Sequence, residues 1–147
     1  MICETYPPID MVADVLRFHR KFGCYTGDHP HGPPRPVVKL RLDLIIEEYG
    51  EVLRACDRGN LAGVAYGLVD LIYVSIGKAL AWGIDLRPIW RAVQRANMAK
   101  EGGGQREDGK ILKPPGWQPP DVEGLIQQQV ALAESNGGSI WIPNATI

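Results

Sequence analysis

Three carboxylates, Glu47, Glu48 and Glu51, fall within five residues, and a fourth, Asp70, stands alone in the apolar run Leu68-Val69-Asp70-Leu71-Ile72-Tyr73-Val74. On a helix, residues three and four apart share a face, so Glu51 stacks with both Glu47 and Glu48. Carboxylates this close repel one another unless a cation lies among them. Four of them on two facing helices suit a hard divalent cation such as Mg²⁺ or Mn²⁺. Such ions clamp phosphate oxygens, polarise phosphorus and acidify an attacking water. A glutamate not fully engaged by metal then accepts that water's proton, and Glu47 and Glu48 are the candidates. A Glu-rich helix by itself is more often a solvated face. Asp70 tips the reading towards metal, because an acid in a buried apolar helix must be paired or metal-bound.

Two helical runs must carry these residues. The stretch Leu42 to Asp70 breaks only at Gly59-Asn60. Folding it there as an antiparallel hairpin brings Asp70 opposite the Glu48–Glu51 turn. The predicted helices are about Asp10-capped to Phe22, Val37 to Asp57, Leu61 to Trp82, Leu86 to Met98, and Val122 to Glu134. On the first, Val12, Val15, Leu16, His19 and Phe22 fall on one side. The third is apolar on most sides, so it should be buried all round. Four or five helices are too few to surround it, which predicts a neighbouring subunit, in a homodimer or homotetramer. The fold class is all-α, a four- to five-helix bundle completed by oligomerisation. Residues 1–134 form one domain, and 135–147 are a C-terminal tail whose SIWIP segment reads as a strand or an extended arm.

The 147 residues suffice for one core, and the formal charge of −1 gives no electrostatic case for nucleic-acid or membrane binding. Cys3, Cys24 and Cys56 are widely spaced and odd in number, which fits a reducing, cytoplasmic setting. The N-terminus lacks a basic region followed by an apolar run, so it does not read as a signal peptide. Leu61 to Trp82 is long enough to raise a membrane span, but Asp70, Lys78 and three glycines interrupt it, so it reads as a core helix. The Asn144-Ala145-Thr146 sequon carries no weight without an export signal. His29 and His31 lie in a Pro-rich loop and read as plain loop residues. The segment Lys100 to Asp121 is Gly- and Pro-rich and carries Lys100, Arg106, Lys110 and Lys113. It is expected to move about Gly102, Gly103 and Gly104 and to close over phosphates.

Four blocks in order carry a family likeness: VLRFHRKFG, RLDLIIEEYGEV, LVDLIYVSIGKALAWGID, and QRANMAK followed by DGKILKPPGWQPPD. With them the chain resembles the MazG-like all-α nucleoside triphosphate pyrophosphohydrolases, in a branch that includes bacterial dUTP pyrophosphatases and phage relatives acting on dGTP. The resemblance implies that Glu47, Glu48, Glu51 and Asp70 hold two or more Mg²⁺ or Mn²⁺ ions. It also implies cleavage of a (d)NTP to the (d)NMP and pyrophosphate. The base leans slightly to dGTP or GTP, with dUTP as the alternative. One position departs: the second acidic motif is usually E-x-x-D, but here it reads Gly67-Leu68-Val69-Asp70. Lys100, Lys110 and Lys113 would offset phosphate charge, with Lys113 also counted as catalytic. Asn97 would hydrogen-bond sugar or phosphate. Arg41, two turns before Glu48, would bind phosphate or pair with a carboxylate. Phe18, His19 and Trp117 would enclose a base. A non-catalytic helical assembly module is the rival reading, favoured by Gly67. Phosphoribosyl-ATP pyrophosphohydrolase shares the fold class, with the FHRKFG and KPPGW blocks arguing against it.

Overall fold

Helix starts and stops follow local chemistry. The computed structural model describes residues 7–141 and contains, among them, five helices and no strand. Helix α1, Met11–Phe22, starts where the Asp10 carboxylate accepts from Ala13 N and stops at Gly23 in the left-handed region. Helix α2, Arg35–Asp57, has Pro36 in its first turn, where the missing N–H costs nothing. Helix α3, Leu61–Ala81, is capped by Asn60 through Gly63 N. Helix α4, Leu86–Met98, is capped by Asp85 through Arg87 N. Helix α5, Val122–Ser135, is capped by Asp121 through Gly124 N. The helices match the predicted ones to within two residues at each end.

The core lies where α1 crosses the C-terminal half of α3. Val12, Val15, Leu16, Ile76 and Leu80 meet Ala133 of α5 and, unexpectedly, Ile140 and Trp141. Ile140 and Trp141 thus belong to the core. Ile140 N donates to Asp28 O, and the Trp141 indole N–H donates to Gly27 O, both at 2.7 Å. These residues pack against the loop between α1 and α2 without forming a strand. The rest of SIWIP, the Asn144 sequon and Cys3 lie outside the described residues. Gln129 of α5 exchanges two 2.9 Å hydrogen bonds with the backbone of Asp85, which joins α5 to the start of α4.

α2 and α3 form an antiparallel hairpin about Gly59 and Asn60. Residues seven apart along each helix pair off down their seam. A Cβ on Gly77 would stand 3.2 Å from Arg41 Nη1, and one on Gly63 would stand 3.1 Å from the Ala55 Cβ. Midway between these two layers the same register pairs Glu48 with Asp70.

The third helix is not buried all round in the single chain. Leu61, Tyr66, Leu68, Val69 and Ile72 are exposed on α3, as are Leu42, Ile46, Tyr49 and Leu53 on α2. By length and composition α3 is also apolar enough to cross a membrane. Its Gly63, Gly67 and Gly77 line the close seam with α2.

Candidate active site

Helix α2 projects Glu47, Glu48 and Glu51 from two successive turns, and α3 brings Asp70 to the facing side. Glu47 and Glu51 are exposed, while Glu48 and Asp70 are half-buried. Burial raises the Glu48 carboxyl pKa above its ordinary range. The charges of Asp70, Glu51 and Glu47 raise it further, in that order. Asp70 on the other helix thus acts on Glu48 more strongly than Glu51 one turn away. None of the four acids has a Lys, Arg or His partner among the described residues. Their side chains are not already drawn together: no three His, Cys, Asp or Glu side chains among the described residues converge in a ligand arrangement. The donor set nevertheless fits a hard divalent cation, being all oxygen, anionic and lacking any internal cation. Gathering it requires only that long glutamate side chains swing, since the backbones already face each other.

Gly67, where the second motif lacks its acid, is a packing position. It is buried, and a Cβ there would stand 3.0 Å from Val52 Cγ2 and 3.5 Å from Val52 N. The Val52 side chain crowds a Cβ placed at 67, and the α2 backbone would be in ordinary contact with it.

Two expected substrate contacts sit elsewhere. His19 is 1% exposed, so it does not enclose a base. Its Nδ1 lies 3.1 Å from Thr26 Oγ1, and the Thr26 hydroxyl points to Cys24 O at 3.4 Å. His19 therefore carries its proton on Nδ1, leaving the Nε2 lone pair towards Gly77 and Arg41. Burial, then the Arg41 charge, depress its pKa from 6.5 to about 4. A depressed folded-state value means that acid costs stability. The loss begins below the unfolded pKa and is complete once pH has fallen through about 4. It amounts to about 3 kcal/mol from this one group. Urea denaturation between pH 7 and pH 4 should show that decline, and His19→Gln should flatten it.

Trp117 is also committed. Its indole N–H donates to Ala96 O of α4 at 2.7 Å, and the ammonium groups of Lys113 and Lys100 sit 4.5 and 5.8 Å from its ring centroid. Trp117 latches the loop to α4 instead of lining a base pocket. The loop itself is a small hairpin: Gln105 bridges Ile111, Arg106 N donates to Lys110 O, and Leu112 N donates to Gly104 O. Gly103 is no slack hinge, because a Cβ there would come within 2.0 Å of Leu112 O. Arg106 is held by Asp108 at 2.9 Å, which removes it from the free cations. Lys100, Lys110 and Lys113 have no carboxylate partner among the described residues. Asn97 is exposed at the end of α4, next to the Ala96 carbonyl that receives Trp117.

Arg41 is 7% exposed and pairs with no carboxylate among the described residues, against one of the two expectations for it. Phe18 is 42% exposed and meets Tyr73 of α3 edge-on at 5.5 Å and Phe22 at 4.6 Å. Sequence reasoning missed Tyr73, although its position one turn from Asp70 was readable. His29 and His31 are loop residues as expected, with His31 Nδ1 bonded to the His29 carbonyl and Nε2 to the Tyr25 hydroxyl.

An all-α hairpin with acids on facing helices is the frame of a helical pyrophosphohydrolase. The phosphoribosyl-ATP pyrophosphohydrolase family matches residues 15–97, more than half of the chain, and the chain belongs to that family, against the expectation drawn from the FHRKFG block, which lies inside the match, and the KPPGW block, which lies outside it; the match singles out no dUTP or dGTP branch. The matched span contains all four acids and stops before the Lys100–Trp117 hairpin. Half of the chain, 49%, is also 45% identical to the uncharacterized protein L479 of Acanthamoeba polyphaga mimivirus. The match spans only 30% of that relative's length.

Proposed function

We propose that the protein is a metal-dependent nucleoside triphosphate pyrophosphohydrolase, releasing pyrophosphate and a (d)NMP, with a lean to dGTP or GTP over dUTP. Membership of a pyrophosphohydrolase family supports the reaction class. The observation that carries the reading is the Glu48–Asp70 layer: acids on facing helices, with no cationic partner among the described residues, where Asp70 and the neighbouring glutamates raise the Glu48 pKa. Glu47, Glu48, Glu51 and Asp70 would hold Mg²⁺ or Mn²⁺. The bound ions would screen phosphate charge and acidify an attacking water. The proton acceptor belongs to the Glu47–Glu48 pair, which lies on the metal face without counter-charge.

Lys100, Lys110 and Lys113 offset the remaining phosphate charge, and Asn97 orients sugar or phosphate. The Trp117 latch supports this by holding Lys100 and Lys113 over one ring, so that two ammonium groups arrive together. Lys113→Ala is expected to raise KM or lower kcat for triphosphates by about 10-fold while leaving Tm nearly unchanged. Steady-state kinetics and a thermal melt check this. Hydrogen exchange across residues 100–117 should slow when a non-hydrolysable triphosphate and metal are added.

We also propose a homodimer or homotetramer formed through the exposed apolar faces of α2 and α3, which are contiguous along the hairpin. Sedimentation at micromolar concentration should give at least twice the 16.2 kDa chain mass. A monomer would remove the expected cover for Ile46, Tyr49, Tyr66 and Val69.

A nucleotide panel with Mg²⁺ or Mn²⁺ tests the function, with pyrophosphate and orthophosphate measured separately. Pyrophosphate as the phosphate product supports the reading. A helical assembly module, favoured by Gly67 and by the ungathered acids, would release neither.

A further inference from the structure

The face of α3 that meets α1 and α2 presents Asp70, Tyr73 and Gly77 in sequence, each one turn from the next. Each meets a different chemistry: Asp70 meets the α2 glutamates, Tyr73 meets the Phe18 ring, and Gly77 meets the Arg41 guanidinium. Seven helical residues separate Glu48 from Arg41, about 10 Å of axial rise. Helical side chains lean towards the helix N-terminus, and Arg41 and the glutamates share one helix, so the lean leaves their separation about unchanged. Arg41 is therefore badly placed for phosphates gathered at Glu48 and Asp70. A half-exposed aromatic step lies between the two.

The guanidinium is closely surrounded, in a residue only 7% exposed. Its Nε is sealed in the core without a hydrogen-bond partner, and His19 Nε2 lies beside it. A Cβ at position 77 would come within 3.2 Å of Arg41 Nη1, so Gly77 leaves the space the head group occupies. Neither terminal nitrogen has a protein partner among the described residues, and neither is among the sealed, unpartnered atoms. A buried arginine whose terminal N–H groups are unspent within the chain is free to donate to a group from outside it.

We propose that Arg41 is a specificity-determining residue that reads the base of the substrate, donating its paired N–H groups to two adjacent acceptors such as O6 and N7 of guanine. This rests on the nucleotide pyrophosphohydrolase reading. Phe18 and Tyr73 stack the base between Arg41 and the acid layer. The planar guanidinium fork matches O6 and N7 together, whereas adenine sets an amino donor against one of its arms. Arg41 is thereby moved from the phosphates to the base end of the site.

The test compares dGTP, dITP, 7-deaza-dGTP and dATP on the wild-type protein, by kcat/KM for pyrophosphate release and by calorimetric affinity for α,β-imido analogues with metal. dITP keeps O6 and N7 and should match dGTP. 7-Deaza-dGTP loses N7, and dATP replaces O6 with a donor. Both should fall by about 5- to 150-fold, the discrimination of one good bidentate pair. Arg41→Lys keeps the charge without the fork and should bring dGTP and dATP together. Equal handling of dGTP and 7-deaza-dGTP, or of dGTP and dATP, by the wild type overturns the proposal, whatever the variant does. Selective binding of the dGTP analogue without pyrophosphate release would sink the reaction and leave the base reading standing. Failure to bind any analogue would sink both.

Discussion

Asp70→Asn is expected to lower kcat by about 10²–10⁴-fold while leaving the fold intact, with Glu48→Gln and Glu51→Gln close behind. Each exchange keeps side-chain volume and removes one charge from a layer that holds no cation of its own. The burial of Glu48 and the charges of Asp70, Glu51 and Glu47 all raise the Glu48 pKa, so its charged form is disfavoured in the metal-free protein. Removing any one of them should leave the metal-free Tm unchanged or higher, the usual relation between function and stability at a charged site. Circular dichroism melts beside the rate measurements separate loss of chemistry from loss of fold. Near-wild-type turnover in two of the three variants would remove these residues from the reaction.

Gly67→Glu, which restores the acid usual at this place in the motif, is expected to damage the protein. The Val52 side chain and backbone stand 3.0–3.6 Å from where the new Cβ would lie, and a β-branched neighbour on a helix has little rotamer freedom to yield. Overpacking of this kind costs about 1–3 kcal/mol, and a glutamate stem forced into the seam adds the cost of desolvating its charge. Gly67→Ala should show the steric part alone. Chemical denaturation of both variants measures the loss. A Gly67→Glu protein with unchanged stability and a higher rate would mean that the position is a vacant ligand after all.

Much of this arrangement was legible in the chain because it rests on local chemistry. Asp10, Asn60 and Asp85 all cap as their sequence positions imply, and Gly59-Asn60 fixes the hairpin that faces Asp70 with Glu48. What escaped the sequence depends on packing between distant elements. An amphipathic pattern gives His19 an inward side but not whether that side is solvent-filled or sealed. Thr26, Arg41 and Gly77 decide that, and they come from a loop and two other helices. The glycines at 102–104 read as slack in one dimension. Gly103 alone of the three is tight, because Leu112 O returns against it, while Gly102 and Gly104 stand open. Trp141, in a segment without periodicity, reaches the core through hydrogen bonding to a loop more than a hundred residues earlier. Gly67 looked like a lost ligand because a motif reports only what a position usually does, whereas the helix spacing at Val52 reports what it can accommodate.

Manganese binding followed by electron paramagnetic resonance tests the central claim most directly, because it needs neither substrate nor turnover. Titrating the metal-free protein with Mn²⁺ should deplete the free-ion signal in the wild type. Glu48→Gln and Asp70→Asn, on opposite helices, should each weaken that depletion by at least about 10-fold. A free Mn²⁺ signal undiminished by the wild-type protein, or depletion equally strong in both variants, would contradict the assignment of the α2–α3 acid layer as a metal centre.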